Sequence, residues 1–516
     1  MKQPNFLLIM ADQMAAPALP FYGHPVVQTP YLSHLAENGV VFSNAYCNSP
    51  LCAPSRFSML TGQLTSRIGA YDNAAYFAAD VPTFAHYLRT LGYHTCLSGK
   101  MHLVGADQLH GFEERLTTDI YPSDFGWTPD WENFEKRPSW YHNMLSVVQA
   151  GTCKASNQID FDEEVTHQSV RKIYDLARDK DQSPFLLLVS FTQPHDPFTI
   201  TPEYWNRYDQ NEIDLPAVPQ IPYERLDPHS KRLHHVCALG QYAQTEKRIR
   251  NARHAYYGMI SYIDDKVGQL LQALKGAGLS EDTIVIFLSD HGEMLGERGL
   301  WYKMTFFEWS ARVPMIFHFP ARFSPHRVAQ TVSLVDVLPT LVEIANDGCA
   351  GGYADSLDGQ SLLPSLEGNE IKGAGTVYGE TLCEGAIAPV VMIGRDRYKY
   401  VYSDPDPSQL YDLEADPNEL HNLADQPQHK ETRRMFDDEV RAKWDLKKLH
   451  QQVLASQRRR KLVYRALRQG KHAPWDFQPF QDAARQYMRN HLDLNKLERT
   501  ARYPSPEIPD PDGTDV

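Results

Sequence analysis

Five stretches of this 516-residue chain are apolar almost throughout, and they constrain the fold more than any other feature. Strands with this pattern are apolar on both faces, and such strands belong in a parallel sheet covered by helices. The candidate strands are residues 5–11, 93–98, 185–191, 283–289 and 314–319. Helical patterns lie between them, at residues 83–91, 161–178 and 255–274. The alternation predicts a doubly wound α/β core over roughly residues 1–345.

The sequence after this core predicts two smaller parts. Residues 348–375 are rich in Gly, Ser and Leu and indicate a connection, and short strand patterns follow at 376–379, 390–394 and 398–402. A long polar helical stretch covers residues 431–469. We therefore expect an α/β domain over 1–347, a smaller α+β subdomain over 348–430 and a helical tail over 431–516, disordered beyond Pro504.

Composition excludes several classes of protein. The 42% hydrophobic and 22% charged residues are typical of a globular chain. With 51 basic and 65 acidic residues, the net charge of −14 disfavours nucleic-acid binding, so the basic run 458–461 is interpreted as a solvated helix face or a subunit contact. No apolar run approaches the ~18 residues of a membrane span. The N-terminus is read as a strand rather than a signal peptide, and the seven scattered cysteines predict no disulfide framework. We expect a cytoplasmic protein.

Polar side chains follow four of the candidate strands. Any one of them fits a helix cap or a solvated sheet end, but four together favour a shared function. Ligands of open α/β sheets bind at the carboxyl ends of the strands, so we expect these side chains to meet in one crevice. They are Asp12 and Gln13, Lys100 and His102, His195 and Asp196, and Asp290 and His291.

Two carboxylates in one crevice predict a divalent cation. Asp12 and Asp290 would repel each other without one. Gln13 and His291 are further candidate ligands, and the largely oxygen-bearing set favours Ca²⁺, Mg²⁺ or Mn²⁺, with the imidazole pointing toward Mn²⁺. The absence of thiolate pairs argues against structural zinc.

Cys52 lies where a helix is predicted to begin. Pro54 suits a first turn and Gly62 suits a helix end. A helix N-terminus favours an anion, so an unmodified Cys52 is expected to have a lowered pKa. Arg56, one turn later, is placed to clamp an oxyanion. The alternative for a lone cysteine is simple core packing.

These motifs together resemble those of a known family. Cys52-Ala53-Pro54-Ser55-Arg56 resembles the signature of the formylglycine-dependent sulfatases of the alkaline phosphatase superfamily. Further motifs at residues 61–62, 99–102, 289–293 and 411–423 extend the resemblance over residues 4–425. It implies an alkaline-phosphatase-like core with a mostly parallel sheet. It also implies that a formylglycine-generating enzyme oxidises Cys52 to an aldehyde, whose hydrate attacks the sulfur of a sulfate ester.

The resemblance also implies residue roles. Asp12, Gln13, Asp290 and His291 correspond to metal ligands, with residue 52 also touching the metal. Arg56 and Lys100 correspond to groups that hold the hydrate and the sulfate, and His102 to a base acting on the second hydroxyl. His195, as general acid, and Lys303 would face the leaving-group oxygen. Gln13 and His291 depart from the Asp and Asn of many members and make the site less anionic.

Within the family, residues 124–131 and the tail at 486–499 resemble the choline sulfatase subgroup. This resemblance implies hydrolysis of choline O-sulfate to choline and sulfate, in a homo-oligomer (a dimer or tetramer) whose tail around 487–493 reaches another subunit. Quaternary ammonium groups are recognised by aromatic faces and carboxylates. Trp127 and His142 match the subgroup's pattern, Asn73 corresponds to a residue bonding the ester, and either Glu380 or Glu384 would supply the carboxylate.

Two alternatives remain at this point. One is a hydrolase of phosphonate or phosphate esters, or of other alkyl or aryl sulfates, on the same fold, which Gln13 and His291 favour. The other is a metal-binding scaffold without turnover, which is disfavoured by the presence of Cys52, Lys100, His102 and His195.

Overall fold

The computed structural model describes residues 3–178, 183–369 and 375–480, and beyond these only residues 487, 493, 495, 496, 498, 502 and 503. In this part of the chain, fourteen strands form three sheets. The strands are β1 (Asn5–Ala11), β2 (Val40–Tyr46), β3 (His94–Gly99), β4 (Glu114–Arg115), β5 (Gly151–Thr152), β6 (Phe185–Ser190), β7 (Thr199–Ile200), β8 (Thr283–Ser289), β9 (Met315–His318), β10 (His326–Ser333), β11 (Thr376–Thr381), β12 (Val390–Arg395), β13 (Tyr398–Tyr402) and β14 (Gln409–Asp412).

The helices of the described residues vary from a single turn to eight turns. None of them combines the length and the hydrophobicity of a membrane-spanning segment. They are α1 (Pro30–Glu37), α2 (Cys52–Thr61), α3 (Thr65–Ile68), α4 (Phe84–Thr90), α5 (Leu145–Val148), α6 (Asn157–Arg178), α7 (Pro202–Trp205), α8 (Pro228–Val236), α9 (Glu246–Gly276), α10 (Glu308–Ala311), α11 (Val337–Ala345), α12 (Leu363–Leu366), α13 (Lys430–Lys443) and α14 (Leu446–Leu467).

The largest sheet has eight strands in the order β10-β2-β9-β8-β1-β6-β3-β4. Strand β9 runs antiparallel to β2 and β8, and every other pair of neighbours is parallel. All five predicted strands are present in it, and the expected mostly parallel sheet is confirmed. Strands β2 and β10 were not predicted, because polar residues interrupt their sequences and the outer strand β10 is partly exposed.

Both faces of this sheet are buried, as the apolar runs predict. Successive side chains of β1 point to opposite faces: Phe6, Leu8 and Met10 join one core, and Leu7, Ile9 and Ala11 join the other. Helices α2, α4 and α11 cover the first face, while α6 and α9 cover the second. Each fully buried Leu, Ile or Phe side chain contributes about 1.5–3 kcal/mol of hydrophobic stabilisation.

The C-terminal part is smaller and antiparallel. Strands β11 to β14 pair in sequence order, which confirms the three predicted strands and adds β14. The helical stretch predicted over 431–469 is instead two helices, because Asp445 starts α14 anew by accepting a hydrogen bond from the main-chain N–H of Lys448. The disorder predicted beyond Pro504 lies outside the described residues.

Candidate active site

The four strands with polar residues at their ends are consecutive neighbours. Strands β8, β1, β6 and β3 adjoin in that order and are parallel, so their carboxyl ends share one edge of the sheet. Strand β2 has the same direction as β8, because both run antiparallel to β9. The connection after β2 therefore brings Cys52, the first residue of α2, to the same edge. The predicted crevice is present.

Four potential metal ligands meet at this edge. Asp12, Cys52, Asp290 and His291 are buried, and each offers one ligand atom within 4.8 Å of those of the others. The Cys52 Sγ lies 3.3 Å from the His291 Nε2 and 3.8 Å from the Asp12 Oδ1. The His291 Nδ1 donates to the carbonyl of Gly292 at 2.9 Å, so the Nε2 lone pair faces the cluster. This donor set suits a divalent cation.

Arg56 forms hydrogen-bonded ion pairs with both aspartates of the cluster. Its Nε donates to Asp290 Oδ2 at 2.8 Å and one terminal nitrogen donates to Asp12 Oδ2 at 3.0 Å, with all three side chains fully buried. The other terminal nitrogen donates to the Lys100 carbonyl and the Ser190 hydroxyl, both at 2.7 Å. Four of its hydrogen bonds thus go to the protein, two of them to the carboxylates of the cluster. The expectation that Arg56 also clamps an oxyanion stays a prediction.

Gln13 lies beside the cluster, but its side chain is directed elsewhere. Its main-chain N–H donates to Asp290 Oδ1 at 3.0 Å. Its amide oxygen accepts from Lys303, and its amide nitrogen donates to Glu293. Burial raises the pKa of Glu293 to about 7. In this arrangement the amide of Gln13 orients Lys303, while its assignment as a metal ligand stays a prediction.

The environment of Cys52 differs from the one expected at a helix N-terminus. The residue does begin α2, with Leu51 before it and Gly62 after the last turn. Burial, together with the neighbouring carboxylate of Asp12, raises the pKa of the thiol to about 11. The expected lowering of the thiol pKa is therefore wrong, because loss of solvent outweighs the helix N-terminus.

Lys100 and His102 line the crevice on the β3 side. The Lys100 Nζ pairs with Asp12 and lies 4.2 Å from the ring centroid of Tyr121. Burial, with Lys100 nearby, lowers the pKa of His102 to about 3. Both ring nitrogens of His102 are buried without a hydrogen-bond partner among the described residues. A neutral imidazole with free nitrogens can accept a proton.

Asp119 fixes the loop that carries His102. Its Oδ2 accepts from the main-chain N–H groups of Met101 and His102 at 2.9 and 2.8 Å. This contact supports the left-handed conformation of His102, whose φ is 60°. Sequence reasoning missed Asp119 and also Tyr121, whose ring lies 5.2 Å from His102 and 5.8 Å from His195. A single Asp or Tyr in a loop carries no recognisable signal.

Lys303 and His195 form a hydrogen-bonded pair. The Lys303 Nζ donates to the His195 Nε2 at 2.8 Å, and the His195 Nδ1 donates to the carbonyl of Asp196 at 2.7 Å. Burial and the Lys303 ammonium hold the pKa of His195 well below its ordinary value. The pKa of Lys303 is raised despite burial, because Cys52 and Asp196 lie nearby. These directions favour the proton of the pair on Lys303, while the assignment of His195 as the acid stays a prediction.

Two predicted substrate residues lie at the crevice, His142 beside this pair and Trp127 beside His102. The His142 Nδ1 lies 3.3 Å from Asp196 Oδ2, and its ring stacks on Tyr302 with centroids 4.4 Å apart. The Trp127 ring is half-buried and lies 5.7 Å from His102 and 6.1 Å from Trp140. Both rings therefore border the crevice.

Asn73 has a role at the start of the helix. Its Oδ1 accepts from the main-chain N–H of Ala53 at 3.0 Å, which satisfies an otherwise unpaired donor in the first turn of α2. Asn73 thus lies next to Cys52, as its predicted place near the ester requires.

The two glutamates between which the sequence could not choose have different environments. Glu380 is in β11, and its carboxylate accepts four hydrogen bonds, two of them from Ser66 and the others from Thr65 and Trp444. These hydrogen bonds occupy both carboxylate oxygens and connect α3 with the C-terminal part. Glu380 is therefore unsuited to bind an ammonium group. Glu384 lies in the following loop, and its buried Oε2 has no hydrogen-bond partner in the described chain. Burial, with Asp72 nearby, raises its pKa to about 7.

Comparison with known proteins agrees with this site. The family model described as sulfatase matches residues 4–347. The chain therefore belongs to the sulfatase family, whose members hydrolyse sulfate esters. Further models, described as the C-terminal regions of choline sulfatase and of N-sulphoglucosamine sulphohydrolase, match residues 451–503 and 296–445.

Among relatives, the choline-sulfatase of Rhizobium meliloti (strain 1021) is 46% identical over 512 residues, covering 98% of this chain and 99% of the relative. An arylsulfatase of Clostridium perfringens is 29% identical and covers 83% of this chain and 92% of its own. The resemblance to choline sulfatase predicted from the sequence is thereby confirmed.

The fold is shared with solved structures. The phosphonate monoester hydrolase of Agrobacterium radiobacter has a TM-score of 0.70 at 24% identity, covering 87% of this chain and 96% of its own. This likeness concerns the fold alone and confirms the alkaline-phosphatase-like architecture.

Proposed function

We propose that this sulfatase hydrolyses choline O-sulfate to choline and inorganic sulfate. The observation that carries the proposal is Glu384, a buried carboxylate whose Oε2 lacks a hydrogen-bond partner among the described residues. A buried carboxylate without a counter-charge is costly, and the ammonium group of choline would supply that counter-charge. The 46% identity to a choline-sulfatase over nearly the whole chain supports the same substrate.

Aromatic rings supply the second element of a quaternary-ammonium site. The charge of Glu384 acts on Tyr141, whose ring meets that of Trp140 edge-on at 4.4 Å, and Trp140 stacks with Trp127 at 6.1 Å. A quaternary ammonium group has no N–H to donate and binds to aromatic faces and carboxylates. This series of rings beside Glu384 supports recognition of the choline moiety.

Asp12, Asp290, His291 and residue 52, with Gln13 as a further candidate ligand, would hold one divalent cation, Ca²⁺ or Mn²⁺ with Mg²⁺ as a third candidate. When bound, the cation would neutralise charge on the sulfate oxygens. Arg56 keeps the two carboxylates in place for it, and His291 offers its Nε2 because its Nδ1 is engaged.

Residue 52 and the groups around it would supply the nucleophile, the base and the acid. We propose that a formylglycine-generating enzyme converts Cys52 to the aldehyde, whose hydrate supplies the nucleophilic hydroxyl. Both ring nitrogens of His102 lack a hydrogen-bond partner among the described residues, so His102 is placed to accept the proton of the second hydroxyl. Lys303 donates a proton to the leaving choline oxygen, and His195 holds that ammonium in position.

We further propose a cytoplasmic location and a homo-oligomer, dimer or tetramer, joined through the tail. All seven cysteines are free, which suits a reducing compartment. The match of residues 451–503 to a choline sulfatase C-terminal model supports the assignment of the tail. The parts of the chain are proposed to be a catalytic domain over 1–347, a subdomain over 348–430 and the tail over 431–516.

Sulfate release from choline sulfate and from 4-nitrophenyl sulfate, with wild type and Trp127→Ala, tests the substrate. We expect wild type to prefer choline sulfate, and Trp127→Ala to raise its KM about tenfold with little effect on the aryl ester. A preference for the aryl ester that Trp127→Ala leaves unchanged would reject choline sulfate. The mass of the peptide containing residue 52, from cells that co-express the maturing enzyme, tests formylglycine.

Hydrolysis of a phosphonate or phosphate ester is the second candidate. His291 replaces the asparagine of many sulfatases, and Gln13 replaces an aspartate, so the site carries less negative charge. A higher kcat/KM for a phosphonate monoester or a phosphodiester than for choline sulfate would favour this candidate.

A further inference from the structure

A buried ion pair joins the C-terminal helix to the segment before Asn73. Arg460, in α14, donates from both terminal nitrogens to the two carboxylate oxygens of Asp72 at 2.7 Å each, across 388 residues of sequence. The side chains are 5% and 0% exposed. One of those nitrogens also donates to the hydroxyl of Thr128 at 3.1 Å. A buried bidentate ion pair of this kind fixes the positions of the two segments that it joins relative to each other.

Each partner of Arg460 adjoins a residue of the crevice. Asp72 precedes Asn73, whose Oδ1 accepts from Ala53 in the first turn of α2. Thr128 follows Trp127, the half-buried ring at the crevice. The Arg460 guanidinium therefore connects the segment that holds the start of α2 with residues 124–131. This second segment carries Trp127 and is called the aromatic wall below.

The same face of α14 makes further contacts with that wall. The Gln457 Oε1 accepts from the main-chain N–H of Trp131 at 3.0 Å. The Tyr464 hydroxyl packs so closely on Gly126 that a Cβ there would lie 3.1 Å from it. Positions 457, 460 and 464 lie on one helix face by their spacing of three and four residues. The basic neighbour Arg458 instead pairs with Glu132 in solvent, with exposures of 62% and 42%.

We propose that Arg460 is a positioning residue for the cation-binding part of the pocket. Acting through Asp72 and Thr128, it holds segment 124–131 against the start of α2, so that the tail helix sets the affinity for an ester whose alcohol part carries a positive charge. A wall that is held in its binding conformation costs less ordering when the substrate binds. This inference rests on the proposed function, since it concerns the choline end of the substrate.

Steady-state kinetics of an Asp72→Asn/Arg460→Met double variant test the proposal. The double variant removes both charges and so leaves no unpaired buried ion. We expect KM for choline sulfate to rise about tenfold with kcat within about threefold of wild type, and KM for 4-nitrophenyl sulfate to change less than about threefold. Arg460→Lys keeps the charge but loses the bidentate geometry, and should give a KM between those of wild type and the double variant. Arg458→Met is the matched control and should behave as wild type.

A double variant with a wild-type melting temperature and a wild-type KM for choline sulfate overturns the proposal. So does an equal loss of kcat/KM for both esters, which indicates a general structural role. If the double variant does not fold, Arg460→Lys decides the question by the same comparison of esters. A wild-type enzyme that does not hydrolyse choline sulfate rejects the proposed function. A wild type that does, with variants that retain its KM, rejects only the role of Arg460.

Discussion

The Nε2 of His291 lies 3.3 Å from the Sγ of Cys52, although 239 residues separate them in the chain. Burial lowers the pKa of His291 to about 4, so its imidazole is neutral and able to bind a metal at neutral pH. Residue 52 and a proposed metal ligand thus lie in contact at the end of the sheet. The following predictions concern the groups around that contact.

Replacement of His291 should change the preference for metals. Imidazole suits Mn²⁺ better than Ca²⁺, whereas an amide oxygen suits Ca²⁺. We expect His291→Asn to weaken Mn²⁺ binding by about tenfold or more while affecting Ca²⁺ less. Titration calorimetry of the metal-free protein with each ion measures this. An equal loss for both ions would contradict the assignment of His291 as a ligand.

Loss of Arg56 should destabilise the protein in a way that a cation repairs. Arg56→Met leaves the buried Asp290 without its arginine and leaves Asp12 with Lys100 alone, and breaking such a pair costs about 3–5 kcal/mol. Added Ca²⁺ or Mn²⁺ should restore much of the lost melting temperature, because it binds only the folded state. Thermal denaturation in chelator and in excess metal is the measurement. Arg458→Met, which breaks an exposed pair, is the control and should melt as wild type does.

Lys303 should matter most for esters with a poor leaving group. An alkoxide needs a proton as it leaves, whereas 4-nitrophenolate does not. We therefore expect Lys303→Met to lower kcat for choline sulfate about 100-fold or more, and kcat for 4-nitrophenyl sulfate much less. Initial rates for both esters, with the bound metal quantified in each preparation, test this. A uniform loss would mean that Lys303 does not act on the leaving group.

The KM for choline sulfate should rise as the pH falls. The pKa of Glu384 is raised to about 7 by burial, and only the ionised carboxylate attracts an ammonium group. Protonation below about pH 7 removes that charge, so affinity should decline between about pH 8 and pH 6. In Glu384→Gln the KM should be high throughout and its dependence on pH should flatten. The aryl ester, whose leaving group carries no positive charge, is measured in the same buffers and controls for other titrating groups. An unchanged profile in the variant would exclude Glu384.

The strands and the strand-end residues could be predicted because each is a local signal. A run that is apolar on both faces indicates a buried parallel strand, and parallel strands bring their ends together. Strands β2 and β10 carry no such run, and their place in the sheet depends on pairing between distant segments.

Other features depend on contacts that the sequence does not display. Glu380 and Glu384 are four residues apart, yet the first is fully hydrogen-bonded and the second is not, because β11 ends between them at Thr381. Asp72 and Arg460 are too distant in sequence to suggest a pair. The thiol pKa of Cys52 depends on how deeply α2 is buried, and spacing alone cannot give that depth.

The contacts of Arg56 also bear on how a newly made chain matures. Because Arg56 pairs with both Asp12 and Asp290, and Lys100 pairs with Asp12, two positive charges offset the two carboxylates. These acids can therefore come together while the polypeptide folds, before any metal ion arrives. In a cell short of divalent ions the chain would then still reach its tertiary structure, and the ion would bind afterwards to a site that is already formed.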